Sequence, residues 1–102
     1  MSQIITKAQL IDILNQWHSD KITTEKLQVW MIDNFEPDEF DIGKGEEEHT
    51  IEAMHIVMNE YELVDETKCL KAGAKLAIDF INATPDSFMT TRGEFLRNGF
   101  SD

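Results

Sequence analysis

The sequence predicts an all-α fold, a compact bundle of four to five helices, and three observations predict it. Apolar residues recur at three- and four-residue spacing along most of the chain, and capping residues precede four of those stretches. The length of 102 residues leaves room for one core of that size, so residues 1–102 are read as a single helical domain. A composition of 41% hydrophobic and 28% charged residues is that of a chain that folds.

Thr6 followed by Gln9 reads as a capping box, and Leu10, Leu14 and Trp17 then fall on one face that Ile11 and Ile13 widen, predicting a helix over 7–18. After the polar turn Ser19, Asp20, Lys21, Thr23 is the next N-cap, with Ile22 and Leu27 placed as a hydrophobic staple. Leu27, Trp30, Met31 and Phe35 give this second helix one apolar side, and the pair makes a helical hairpin. Pro37, Gly43 and Gly45 mark 36–45 as the principal loop, which Phe40 and Ile42 pin by turning inward. From Glu46 a third helix carries Ile51, Met54, Val57, Met58 and Tyr61 on one side and Glu47, Glu48, Glu52 and Glu60 on the rest. The acids in its first turn complement the helix dipole.

A fourth helix is capped by Asp65 or Thr67, with Leu70, Ala74, Ala77, Ile78 and Ile81 as its stripe. Its small residues Ala72, Gly73 and Ala74 permit close helix approach, and it ends near Ala83, before Pro85. Thr91 followed by Glu94 is a further capping box, opening a short terminal helix with Phe95, Leu96 and Phe100.

The net charge of −11 is concentrated rather than spread. Residues 1–32 carry three acids and three bases, and residues 67–102 carry four acids and five bases. Residues 33–66 carry thirteen acids against one base, Lys44. Such a field repels phosphate backbones and anionic bilayers and draws in cationic partners, so neither direct nucleic-acid binding nor membrane association is expected. No apolar run reaches the roughly 18 residues of a transmembrane helix. One cysteine, Cys69, and the absence of secretory-signal features over residues 1–20 fit the cytoplasm.

Several constellations suggest chemistry and fail on geometry. Glu46 with His49, and Glu52 with His55, repeat the Glu-x-x-His spacing of di-iron bundles. Six residues along one helix turn the second pair about 240° away from the first. The first and fourth helices add only Asp12 and Asp79, so no metal site is expected. The run from Asp38 to Gly43 resembles a calcium loop, yet Phe40 and Ile42 occupy positions that need side-chain oxygens, and His49 stands where a bidentate glutamate belongs. Cys69, read at the start of the fourth helix, carries no nucleophile signature, and no phosphate-binding glycine loop or GxSxG motif occurs. No catalytic residue and no cofactor are assigned. Trp17 and Trp30 are read as core, with Trp30 the better candidate for a partner anchor; Phe88 and Met89 form a second apolar candidate.

Leu14, Trp17, the polar turn, Ile22, Thr23, Leu27 and Trp30 together resemble the opening hairpin of small acidic bacterial immunity-type proteins, over about the first thirty residues. The colicin DNase immunity proteins are likewise acidic and four-helical, but their tyrosine pair is missing here, so no functional residue is carried across. The resemblance implies an inhibitor that docks a basic protein.

The reading is therefore a partner-binding module. Asp38, Glu39, Asp41, Glu46, Glu47, Glu48 and Glu52 would steer and dock a basic partner, with Phe40 or Trp30 supplying apolar contact. The alternatives are a helical homo-oligomer, such as a symmetric homodimer, with a solubilising acidic face, and a metal-binding helical domain.

Overall fold

A computed structural model describes residues 3–35 and 40–101, and within them the chain forms five α-helices and one pair of short strands. In order these are β1 (Gln3–Ile5), α1 (Lys7–His18), α2 (Thr24–Asn34), β2 (Phe40–Ile42), α3 (Glu48–Leu63), α4 (Gly73–Ile81) and α5 (Phe88–Asn98). The all-α bundle is as the sequence predicts.

The first hairpin follows its local signals closely. The Thr6 hydroxyl accepts from the Gln9 backbone N–H at 3.0 Å, and the Gln9 side chain accepts from the Thr6 N–H at 2.8 Å, a complete capping box for α1. Thr23 caps α2 by accepting from the Lys26 N–H at 3.2 Å. Between them Asp20 takes φ +62°, a conformation that aspartate tolerates, and its carboxylate ion-pairs with Lys71. Leu10, Leu14, Trp17, Leu27 and Met31 are fully buried, each worth roughly 1.5–3 kcal/mol of transfer free energy.

The strands are an addition to the expected fold. They pair in parallel, Gln3 opposite Phe40, Ile4 opposite Asp41 and Ile5 opposite Ile42, and the Gly43 N–H donates to the Ile5 carbonyl at 2.9 Å. A parallel pair needs a long crossover, and α1 with α2 supplies it. The part of the expected loop that is described, 40–45, is thus a strand followed by a tight turn. Ile42 is buried and Phe40 half-buried against the core, so both turn inward as expected.

Three boundaries differ from the sequence reading. Helix α3 starts at Glu48 with Glu47 as its N-cap, leaving Glu46 outside. Asp65 does accept from the Thr67 N–H, at 2.9 Å, but the turn it caps is a single 3-10 turn, Glu66–Lys68, and α4 begins only at Gly73. Leu70 consequently lies off the helix and is exposed. Helix α5 starts at Phe88, and Thr91 is inside it, its hydroxyl donating back to the Ser87 carbonyl at 2.8 Å rather than capping.

Helix α1 packs on α4, α4 on α5, and α2 on α3. Their buried faces merge into one cluster in which the Tyr61 ring meets Trp17, Phe95 and Phe100 with centroids 5.4–5.7 Å apart. Among the described residues, no helix is long and apolar enough to cross a membrane.

Candidate functional site

The acidic surface is built where β2 hands over to α3. Gly43 and Gly45 take φ +75° and +88°, values that suit glycine, and the Glu46 N–H closes the turn on the Gly43 carbonyl at 2.9 Å. Glu47 then stands at the N-cap without a capping hydrogen bond, and Glu48 lies in the first turn, where the helix dipole favours negative charge. Glu48, Glu52 and His55 follow one another at helical spacing and, with His49 and Ile51, surround a shallow open depression.

Both histidines bordering that depression are tied to neighbouring elements. Nε2 of His49 donates to the Ala83 carbonyl at 3.1 Å, which requires the proton on that nitrogen, while Nδ1 lies 3.4 Å from the Glu47 carboxylate. The His49 ring also stands edge-on to Phe88, and that of His55 to Phe35. Because Glu46 precedes α3, the first Glu-x-x-His pair does not lie on the helix, and no group of three or more His, Cys, Asp and Glu side chains among the described residues is placed to hold a metal ion.

The remaining residues of the sequence-derived site are dispersed. Glu46 faces a different depression, beside Lys7, Ile11 and Asp12 of α1. Asp41 is exposed on β2, opposite Ile4. Phe40 packs against the core, and Trp30 is half-buried on α2, away from the Glu48–Glu52 depression. Asp38 and Glu39 lie outside the described residues. Among the described residues, no lysine or arginine ion-pairs with Glu46, Glu48 or Glu52.

Cys69 does not open a helix; it sits in extended backbone and bridges to Phe100. Burial first, then the charges of Glu66 and Asp65, push its thiol up to about 11, which leaves it protonated and a poor nucleophile at neutral pH. The neighbouring Tyr61 phenol is pushed upward as well, by burial and then by Cys69, and its hydroxyl has no hydrogen-bond partner among the described residues.

Sequence reasoning missed two features. Gln28 reaches across to the end of α3 and donates to the carbonyls of Tyr61 at 3.1 Å and Val64 at 2.7 Å, a long-range contact with no local signature. Val29, with Trp30, Ile13 and Ile22, lines an open groove along the α1–α2 hairpin. The signal for the groove was present in α2: Val29, which lines it, is apolar and lies away from the Leu27–Met31 face.

Comparisons with family models, curated proteins and solved structures return no match.

Proposed function

We propose that the chain is an acidic protein-binding module that docks a basic surface of another protein in the cytoplasm, and that its concrete form is an immunity-type inhibitor of a nuclease toxin. The observation that carries this reading is the exposure of Glu46, Glu48 and Glu52 without lysine or arginine partners among the described residues, in a segment with one base to thirteen acids. Charges left uncompensated within the fold steer oppositely charged partners, raising association rates at low ionic strength by ten- to about a thousandfold. A nuclease must present positive charge to its phosphate substrate, so an acidic module that covers such a surface blocks substrate entry.

The test begins with capture of partners from the native cell, elution with salt and identification by mass spectrometry. Association with the captured basic protein is then timed for the wild type and for a Glu46→Lys, Glu48→Lys, Glu52→Lys variant. The variant should associate at least about tenfold more slowly at low salt, with the difference shrinking as salt rises. An unchanged rate would remove the steering role of these residues.

A further inference from the structure

The outward side of α2 carries apolar side chains where a helix at the rim of a bundle ordinarily carries polar ones. Val29 is 48% exposed and Ile32 50%. Val29 and Trp30, with Ile13 of α1 and Ile22 of the turn, form the apolar floor of the groove, and Glu25, Lys26 and Asp33 border it. Lining positions 26, 29 and 33 follow helical spacing, with Ile22 and Thr23 closing the N-terminal end, so the groove runs the length of α2, roughly 16 Å at 1.5 Å per residue. That length suits about three turns of an incoming helix laid along the hairpin.

The border charges decide what fits. Glu25 and Asp33 stand four residues to either side of Val29. A second copy packed about a two-fold axis through Val29 would set Glu25 of each chain against Asp33 of the other, a repulsion that Lys26 beside Glu25 offsets only in part, and would bring together two bodies of net charge −11. Like charges facing each other across an interface oppose association, whereas cations at those two places relieve both acids.

We propose that this groove docks an amphipathic helix of a partner protein, with an apolar stripe over Val29 and Trp30 and a lysine or arginine about four residues to either side of the stripe's centre, facing Glu25 and Asp33. The sign of the partner's charge rests on the acidic-module reading; the apolar half of the contact stands on the groove itself.

The test is a nitrogen-15 NMR titration of the whole chain with a synthetic helical peptide of about three turns, bearing a leucine stripe and lysine flanks. A matched peptide with glutamate flanks is the comparison. Shifts should gather at Ile13, Ile22, Val29 and Trp30 with the lysine peptide, and the glutamate peptide should bind far more weakly. Val29→Ser, at an exposed position, should weaken the lysine peptide about tenfold. A Glu46→Gln, Glu48→Gln, Glu52→Gln variant should weaken it less. Shifts confined to Glu48–Glu52, with Val29→Ser silent, would overturn the groove and leave the acidic module standing. Equal binding of both peptides would overturn the basic chemistry of the partner while the groove remained. No binding of either peptide, or a dimer in sedimentation that Val29→Ser abolishes, would overturn the proposal.

Discussion

Gly73 at the start of α4 lies directly against Gly99 at the end of α5: a Cβ added to Gly73 would stand 2.5 Å from the Gly99 carbonyl oxygen and 2.8 Å from its Cα. The obstacle is backbone, which no side-chain rotation can clear. The same junction is stitched by the Leu70 N–H to the Gly99 carbonyl at 3.3 Å and the Ser101 N–H to the Lys68 carbonyl at 2.9 Å.

Gly73→Ala should therefore destabilise the chain despite its better helix propensity. Alanine gains up to about 1 kcal/mol in a helix. Forcing a methyl against packed backbone costs about 1–3 kcal/mol or more. A net loss of about 1–2 kcal/mol in urea unfolding is expected. Unchanged or raised stability would mean that the α4–α5 junction opens without cost.

Gly43 and Gly45 share positive φ but not surroundings. A Cβ on Gly43 would meet Met54 Sδ at 3.0 Å and Ile51 Cγ1 at 3.1 Å, whereas nothing lies within 4 Å of one on Gly45. Gly45→Ala should cost only the left-handed backbone, about 1–2 kcal/mol, and Gly45→Asn less. Gly43→Ala should cost more than Gly45→Ala in the same unfolding series, because crowding adds to the backbone term. Equal costs would show that Met54 and Ile51 yield freely.

The alkaline behaviour of Cys69 follows from the direction of its shift. Its thiol, ordinarily near 9.0, is raised to about 11, so the native state holds the proton more tightly than the unfolded chain does. The associated stability is whole below pH 9.0 and is lost as pH rises through about 11. Tyr61 is raised in the same sense, so Cys69→Ala should reduce the alkaline loss without abolishing it. At pH 8 the thiolate fraction should be about a hundredfold below that of an unfolded cysteine. Iodoacetamide labelling should accordingly be markedly slower in the native than in the urea-unfolded chain, and equal rates would contradict the raised thiol.

The fold was legible where its causes are local. Thr6 with Gln9 and Thr23 with Lys26 act within four residues, and the sequence shows both caps in place. The signal at Asp65 is equally real, yet it caps only one 3-10 turn, because the backbone beyond it is drawn into the bridge between Cys69 and Phe100. Thr91 was overtaken by an upstream turn in which Thr84 and Ser87 bond each other's backbone N–H groups. The two strands are three residues each, too short for an alternating pattern to declare itself. The acidic segment is continuous in sequence, but the turn at Gly43–Gly45 sends Glu46 toward α1 and Glu48 with Glu52 to the outer side of α3. The groove, by contrast, has a local signal in Val29, an apolar residue on the polar side of α2.

The two tryptophans provide a last prediction because the fold treats them differently. Trp17 is fully buried, and its indole N–H donates to the Thr24 hydroxyl at 3.0 Å. Trp30 is half-buried in the groove. Acrylamide should therefore quench only part of the native emission, and Trp30→Phe should leave a blue-shifted remainder that resists quenching. Thr24→Val keeps the shape of the side chain but strands the indole donor, and should cost about 1–2 kcal/mol while perturbing that remainder. A fully quenchable Trp30→Phe variant would mean that Trp17 reaches solvent and that α1 does not pack as described. A Thr24→Val variant of unchanged stability would instead assign the burial of Trp17 to shape alone, with its hydrogen bond contributing nothing measurable.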